Sequence, residues 1–105
     1  MKYKEHRICL ISQLGKRSGT LCLLETDEGV NGWLDVMNHR NPLSGHLSGD
    51  GHITLSGSLR TLVSTMRYTA EGTLRERSIH LHLKTESGMY YPVSGEELTP
   101  DDKTL

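Results

Sequence analysis

The chain of 105 residues is long enough for one hydrophobic core and too short for a second domain. Only 34% of its residues are hydrophobic and Phe is absent, so we expect a thin core of Leu, Ile and Val with a few Tyr and Met. The formal net charge of −1, with Lys and Arg scattered along the chain, excludes the basic surface that binds nucleic acid or an anionic membrane. Because the apolar stretch from Ile8 to Ile11 is shorter than a signal-peptide core or a membrane span, we expect a soluble, cytoplasmic protein.

Apolar and polar residues alternate in many short segments, and no segment holds a helical period long enough to form a helix. The alternation predicts strands near 4–16, 20–26, 30–38, 43–48, 52–58, 60–69, 73–76, 79–85 and 89–94. Tripeptides that end in glycine predict the hairpin loops: Arg17-Ser18-Gly19, Asp27-Glu28-Gly29, Gly49-Asp50-Gly51, Ala70-Glu71-Gly72 and Glu86-Ser87-Gly88.

The predicted loops at Arg17 and Asp27 set the register of the first three strands. They place Cys22 opposite Leu34 on the inner face, and Cys9 on the outer face. Two cysteines on opposite faces of a sheet cannot form a disulfide, so we predict free thiols, with Cys22 in the core.

The most regular segment runs from Leu43 to Thr61, where every odd position is apolar, Gly or Thr and every even position is polar. A three-residue loop at Asp50 keeps the apolar positions on one face. The predicted pairs are Leu47 with Ile53, Gly45 with Leu55 and Leu43 with Gly57.

Later loops extend this meander. The loop at Glu86 predicts Leu83 opposite Tyr91 and Leu81 opposite Val93. The loop at Ala70 predicts the unfavourable pairing of Arg67 with Arg75. A change of phase after Gly57 indicates a bulge near Leu62 or Val63.

A meander of eight to nine short antiparallel strands closes into a barrel or folds into a two-sheet β-sandwich. Because closure removes exposed edges, we predict a small up-and-down β-barrel, with the architecture of lipocalins and streptavidin. Gly32-Trp33 is not the Gly-x-Trp of the lipocalin first strand, so this is a likeness of architecture, not of family. We predict one all-β domain over residues 1–95 and a flexible polar tail over 96–105.

Histidines provide the candidate metal ligands. His80 and His82 share one face of a predicted strand, and His46 and His52 are diagonal neighbours on the outer face of the Leu43 hairpin. The alternative is that all four are solvated side chains on an exposed surface. No nucleophile elbow, phosphate loop or dinucleotide fingerprint occurs, so we predict no catalytic residues and no cofactor.

Apolar residues at outward positions are the main departure from the two-faced pattern, and five of them predict an outer patch: Ile11, Leu21, Leu23, Trp33 and Met37. Such a patch is typical of an interface, which favours a homodimer. The alternatives are that the tail or the 38–42 connection covers it, or that it binds a separate partner.

These observations favour a non-catalytic binding or assembly module that self-associates through the outer apolar patch. A second hypothesis is a barrel that binds a small apolar ligand among Met66, Tyr68, Tyr91 and the inward leucines. A third is a metal-dependent enzyme that uses the histidine pairs.

Overall fold

The computed structural model describes residues 2–12, 15–60 and 64–98. This part of the chain forms a closed antiparallel barrel in which each strand pairs with the next and the last pairs with the first. The strands are β1 Lys2–Ser12, β2 Gly15–Thr26, β3 Gly29–Val36, β4 His39–Leu47, β5 His52–Arg60, β6 Thr65–Arg75, β7 Ser78–Thr85 and β8 Tyr90–Glu97. The predicted all-β meander and its closure into an up-and-down barrel are confirmed. No helix long and apolar enough to cross a bilayer occurs in the described ranges.

Side chains fill the barrel. Alternate residues of the strands point inward and form one core cluster that includes Ile8, Leu21, Ile53 and Ile79, each at most 2% exposed. The cavity between Leu23, Ile53 and Leu74 has a volume of about 10 Å³. This space is no larger than one water molecule needs, and the inward side chains around it belong to one buried core cluster.

Two of the predicted hairpin registers are confirmed. Across the Asp50 loop, Leu47 pairs with Ile53, Gly45 with Leu55 and Leu43 with Gly57. Across the Glu86 loop, Leu83 pairs with Tyr91 and Leu81 with Val93. The alternation is strict in the first hairpin and in β7 of the second, so one register buries their whole apolar set.

The predicted register of β2 is wrong. The turn after β2 contains two residues, with Thr26 paired to Gly29, so Cys22 lies opposite Trp33 and Leu21 opposite Leu34. A shift of one residue moves every side chain of a strand to the other face. Leu21 and Leu23 therefore lie in the core cluster, and Cys22 faces the outer side of the sheet, where its side chain is still buried at 2% exposure.

The predicted loop at Arg17 is also wrong, because β1 pairs with β2 through Ser12 and Gly15. In the resulting register Cys9 lies opposite Ser18 and Cys22 opposite Glu5. Both thiols are free, as predicted, but both lie on the outer side. They are four positions apart along neighbouring strands, roughly 13 Å, which is beyond disulfide reach.

The predicted loop at Ala70 lies inside a strand. β6 continues from Thr65 to Arg75, and its turn comes at the next two residues, where Arg75 pairs with Ser78. Arg67 lies opposite Ser58, so the unfavourable pairing with Arg75 does not occur. Gly72 serves close packing and not a turn, because a Cβ there would clash with the His80 carbonyl oxygen. Gly45 has the same role, next to the Thr54 carbonyl oxygen.

Asn41 is the best-satisfied polar side chain of the interior. It is 1% exposed, and its amide donates to the Leu34 carbonyl at 2.9 Å and the His39 carbonyl at 3.1 Å. Its oxygen accepts from the Arg60 backbone amide at 2.9 Å. Asn41 therefore joins the β3–β4 hairpin to the end of β5.

Two other buried polar side chains of the interior lack hydrogen-bond partners among the described residues, as does the indole nitrogen of Trp33 on the outer side. His6 is fully buried on β1, and neither ring nitrogen has a partner. The hydroxyl of Tyr68, whose side chain packs beside Gly57, also has none. Unpaired buried polar atoms cost stability, so both sites reduce the free energy of unfolding.

The last strand runs past the predicted domain boundary at residue 95. Glu96 and Glu97 belong to β8, and the Leu98 amide donates to the Glu5 carbonyl at 2.7 Å. The rest of the predicted tail, 99–105, lies outside the described residues, as do Leu62 and Val63, where a bulge was predicted.

Candidate functional site: an outer polar groove

A groove of about 660 Å³ crosses the outer surface of β4, β5, β6 and β7. Its volume lies within the range of small-molecule binding sites. Gly45 contributes to its lining, and the starts of β3 and β8 form its two ends.

The barrel register builds the groove from two neighbouring rows of outward side chains. In the first row each residue pairs directly with the next one across the strands: Asn31, Ser44, Ser56, Thr69, Lys84 and Tyr90. The second row consists of His46, Thr54, Glu71 and His82. Each row therefore brings together residues that are distant in sequence.

Small hydroxyl side chains occupy the middle of the groove. They are Ser44, Thr54, Ser56 and Thr69, and none of their hydroxyls bonds to another group in the described part of the chain. A hydroxyl group both donates and accepts hydrogen bonds. The middle of the groove therefore presents unused hydrogen-bonding capacity to whatever enters it.

Larger side chains stand around these hydroxyls. The Tyr90 side chain is 59% exposed and its ring centroid lies 6.0 Å from that of His82. Glu71 lies opposite His82, and its carboxylate is 3.9 Å from Nε2 of His52. With Lys84 on the same surface, charges of both signs are present and neither sign dominates.

The groove continues along the barrel. A second depression of about 630 Å³ shares Ser56, Thr69 and Lys84 with it and extends to Arg67 and Glu86. The two depressions together form a surface larger than either one alone.

The predicted outer apolar patch does not form. Leu21 and Leu23 are 1% and 4% exposed in the core, and Met37 packs against the core from the β3–β4 turn. Ile11 is exposed, and Trp33 lies on the outer side of β3, but the two are on strands that β2 separates. The prediction failed because it used the wrong register for β2 and continued β3 through Met37, which has a turn conformation with φ of 54°.

Side chains of the same chain partly shield Trp33. The guanidinium of Arg40 lies 4.5 Å from the Trp33 ring centroid, and Asp35 holds it through two hydrogen bonds of 3.0 Å. Arg40 belongs to the 38–42 segment, which the sequence offered as one alternative cover for this surface. Trp33 is thus partly shielded without a second copy of the chain.

Beside Trp33, a buried thiol joins two polar side chains of β1. Cys22 Sγ is 3.6 Å from the Glu5 carboxylate, and its hydrogen bond with Tyr3 raises the pKa of Tyr3 to about 12. Burial raises the pKa of the Cys22 thiol. Since the thiolate is the reactive form, this cysteine is poorly suited to nucleophilic chemistry.

The four candidate metal ligands are all exposed on the outer side of the barrel: His46, His52, His80 and His82. His46 and His82 line the groove, whereas His80 lies opposite Thr73 outside it. No group of three or more His, Cys, Asp or Glu side chains within the described ranges is arranged to hold a metal ion.

The three side chains proposed for an apolar ligand occupy space in the interior. Tyr68 belongs to the core cluster, and Met66 and Tyr91 pack against it. Tyr68 also lines the second depression, at the outer surface.

Sequence reasoning missed most of the groove. The alternation correctly placed Ser44, Thr54 and Ser56 on the outer face. Because a loop was wrongly predicted at Ala70, the pairing of Ser56 with Thr69, and of Thr69 with Lys84, was not predicted. The available signal was the run of outward Ser and Thr residues itself, which needed the correct β5–β6 register.

Comparisons with protein-family models, curated proteins and solved structures find no significant match. The chain is therefore assigned by its own geometry, as a small closed barrel of eight antiparallel strands.

Proposed function

We propose that this protein is a non-catalytic binding module that takes a polar ligand in its outer groove. The observation that carries the proposal is the contrast between a packed interior and a groove of about 660 Å³ with unpartnered hydroxyls. A rigid barrel supports the groove, because both rows of side chains stand on paired strands and not on loops.

The other hypotheses from the sequence have less support. Self-association lacks the proposed patch, since Leu21, Leu23 and Met37 contact the core. An apolar ligand lacks interior space, and a metal-dependent reaction lacks a cluster of ligands among the described residues.

The proposal is tested by mapping backbone amide shifts in NMR spectra during titration with four probes. The probes are a neutral oligosaccharide (cellohexaose), an uncharged extended peptide (acetyl-hexaserine amide), a nucleotide (AMP) and a fatty acid (laurate). We expect saturable shifts for at least one polar probe at Ser44, Ser56, Thr69 and Lys84. The backbone amide of Cys9, on β1 and away from the strands of the groove, is the internal control.

Two results contradict the proposal. One is the absence of saturable groove shifts with every polar probe. The other is a laurate response at Tyr68 and Tyr91 without any groove response, which would restore the apolar-ligand hypothesis.

A further inference from the structure

We infer that the ligand of the outer groove is an uncharged oligosaccharide. The inference rests on the proposed function and names the chemical class of the ligand. It follows from the hydrogen-bonding groups, the charges and the exposed aromatic ring of the groove.

The hydroxyl row has the donor and acceptor character that a sugar chain needs. Ser44, Ser56 and Thr69 stand side by side on β4, β5 and β6, separated by the strand spacing of ~4.8 Å. Each hydroxyl donates and accepts, and so does each hydroxyl of a sugar. The full row from Asn31 to Tyr90 crosses six strands, or ~24 Å, enough for several sugar units.

The charges of the groove favour an uncharged ligand. Lys84, Glu28 and Glu71 are the charged residues of the first depression, and His46, His82 and Tyr90 are its other titratable groups. Binding of a nucleic acid or a sulfated polymer depends on several cationic contacts. Lys84 and, in the second depression, Arg67 are the only Lys or Arg side chains among the described lining residues, and Glu28, Glu71 and Glu86 accompany them.

Tyr90 provides the apolar contact that a sugar ring uses. Its ring is 59% exposed at the β8 end of the groove and tilted by 53° to the His82 ring. An aromatic ring offers a large, rigid apolar face at low conformational cost. The C–H face of a pyranose can pack on it while the hydroxyls reach the neighbouring row.

The groove lacks the features of the common peptide sites. Along the first row of the groove, β4 to β7 are each paired on both sides, so no free strand edge lies there for a peptide strand to join. The middle of the groove holds Ser and Thr where an amphipathic helix would need apolar anchor pockets. An extended peptide is accordingly the competing class in the experiment.

The test measures affinities by calorimetry for cellohexaose, maltohexaose and chitohexaose, against acetyl-hexaserine amide and heparin hexasaccharide. We expect at least one neutral oligosaccharide to bind and the last two probes not to. Tyr90→Ala should weaken binding about tenfold, and Tyr90→Phe should change it less than about threefold, since the ring remains. Tyr3→Ala is the matched control, because Tyr3 is 54% exposed on another part of the barrel and its loss should leave the affinity unchanged.

Different failures have different meanings. Groove binding by the peptide or heparin without any neutral oligosaccharide would overturn the ligand class and leave the proposed function intact. Oligosaccharide binding that Tyr3→Ala weakens and Tyr90→Ala does not would overturn both. Absence of binding by every probe, in calorimetry and in the amide map, also overturns both.

Discussion

The guanidinium of Arg40 covers the ring of Trp33 at 4.5 Å from its centroid, and Asp35 fixes that position through two hydrogen bonds. This contact explains why an outward tryptophan need not mark an interface, since a planar cation stacks well on an indole face.

Arg40→Ala should expose the Trp33 ring. Because Trp33 is the only tryptophan of the chain, quenching of its fluorescence by acrylamide reports on this site alone. We expect stronger quenching in Arg40→Ala, an intermediate effect in Arg40→Lys, and no change in Arg75→Ala on β6. Equal quenching in all four proteins would show that Arg40 does not shield the ring.

His6 should make the barrel less stable in acid. Burial lowers the pKa of His6 from its ordinary value of 6.5, and Lys4 lowers it further, whereas Glu97 opposes the shift. The unfolded chain therefore takes up the proton at a higher pH than the folded chain does. Stability is fully present above the unfolded value and is lost as the pH falls towards the folded value.

Urea unfolding between about pH 8 and pH 5 measures this loss. His6→Leu should reduce the pH dependence, and it should raise stability by about 1–3 kcal/mol by removing unpaired buried nitrogens. His80→Gln, at an exposed position, should keep the dependence of the parent protein. A His6→Leu protein with the same pH profile as the parent would contradict this role.

Gly45 and Gly72 should not tolerate alanine. A Cβ at either position would clash with a carbonyl oxygen of the neighbouring strand, Thr54 for Gly45 and His80 for Gly72. Since backbone atoms must move to relieve the clash, we expect each variant to lose about 2 kcal/mol or more in urea unfolding. Gly49→Ala is the control, because nothing lies within 4 Å of a Cβ there, and it should stay within about 0.5 kcal/mol.

Asn41→Ala should lower the free energy of unfolding by about 2–3 kcal/mol. The substitution removes three hydrogen bonds and leaves the Leu34 carbonyl and the Arg60 amide without their partner. Ser44→Ala, an exposed position on the same strand, should have little effect. Hydrogen exchange adds a specific check, since the Arg60 amide should lose protection in Asn41→Ala and keep it in Ser44→Ala.

The fold was predictable wherever the alternation was strict. From Leu43 to Leu59 one register alone buries the apolar set, and the observed pairs are the predicted ones. β2 differs because Leu21, Cys22, Leu23 and Leu24 are all apolar, so its pattern accepts either face. The two-residue turn before Gly29 determines which side chains of β2 point inward. A glycine at this position is equally compatible with a three-residue loop, which the sequence analysis chose.

The groove could not be predicted because the role of Gly72 is ambiguous in the sequence. In the sequence, Gly72 predicts the end of a turn. In the structure it lies inside β6, where the absence of a side chain lets β7 approach closely. Only with β6 continuous do Ser56 and Thr69 become neighbours. The wrong interpretation of Gly72 therefore caused two errors: β6 was divided by a loop, and the groove was not predicted.

Ligand binding should depend on the row of hydroxyl side chains. The most direct test of this dependence is the amide shift map with cellohexaose, recorded for the parent protein, the double variant Ser56→Ala/Thr69→Val and the control Thr20→Val on the outer side of β2. We expect saturable shifts at Ser44, Thr54 and Lys84 in the parent and the control, with binding at least about tenfold weaker in the double variant. Equal affinity in all three proteins, or shifts centred on Trp33, would contradict it.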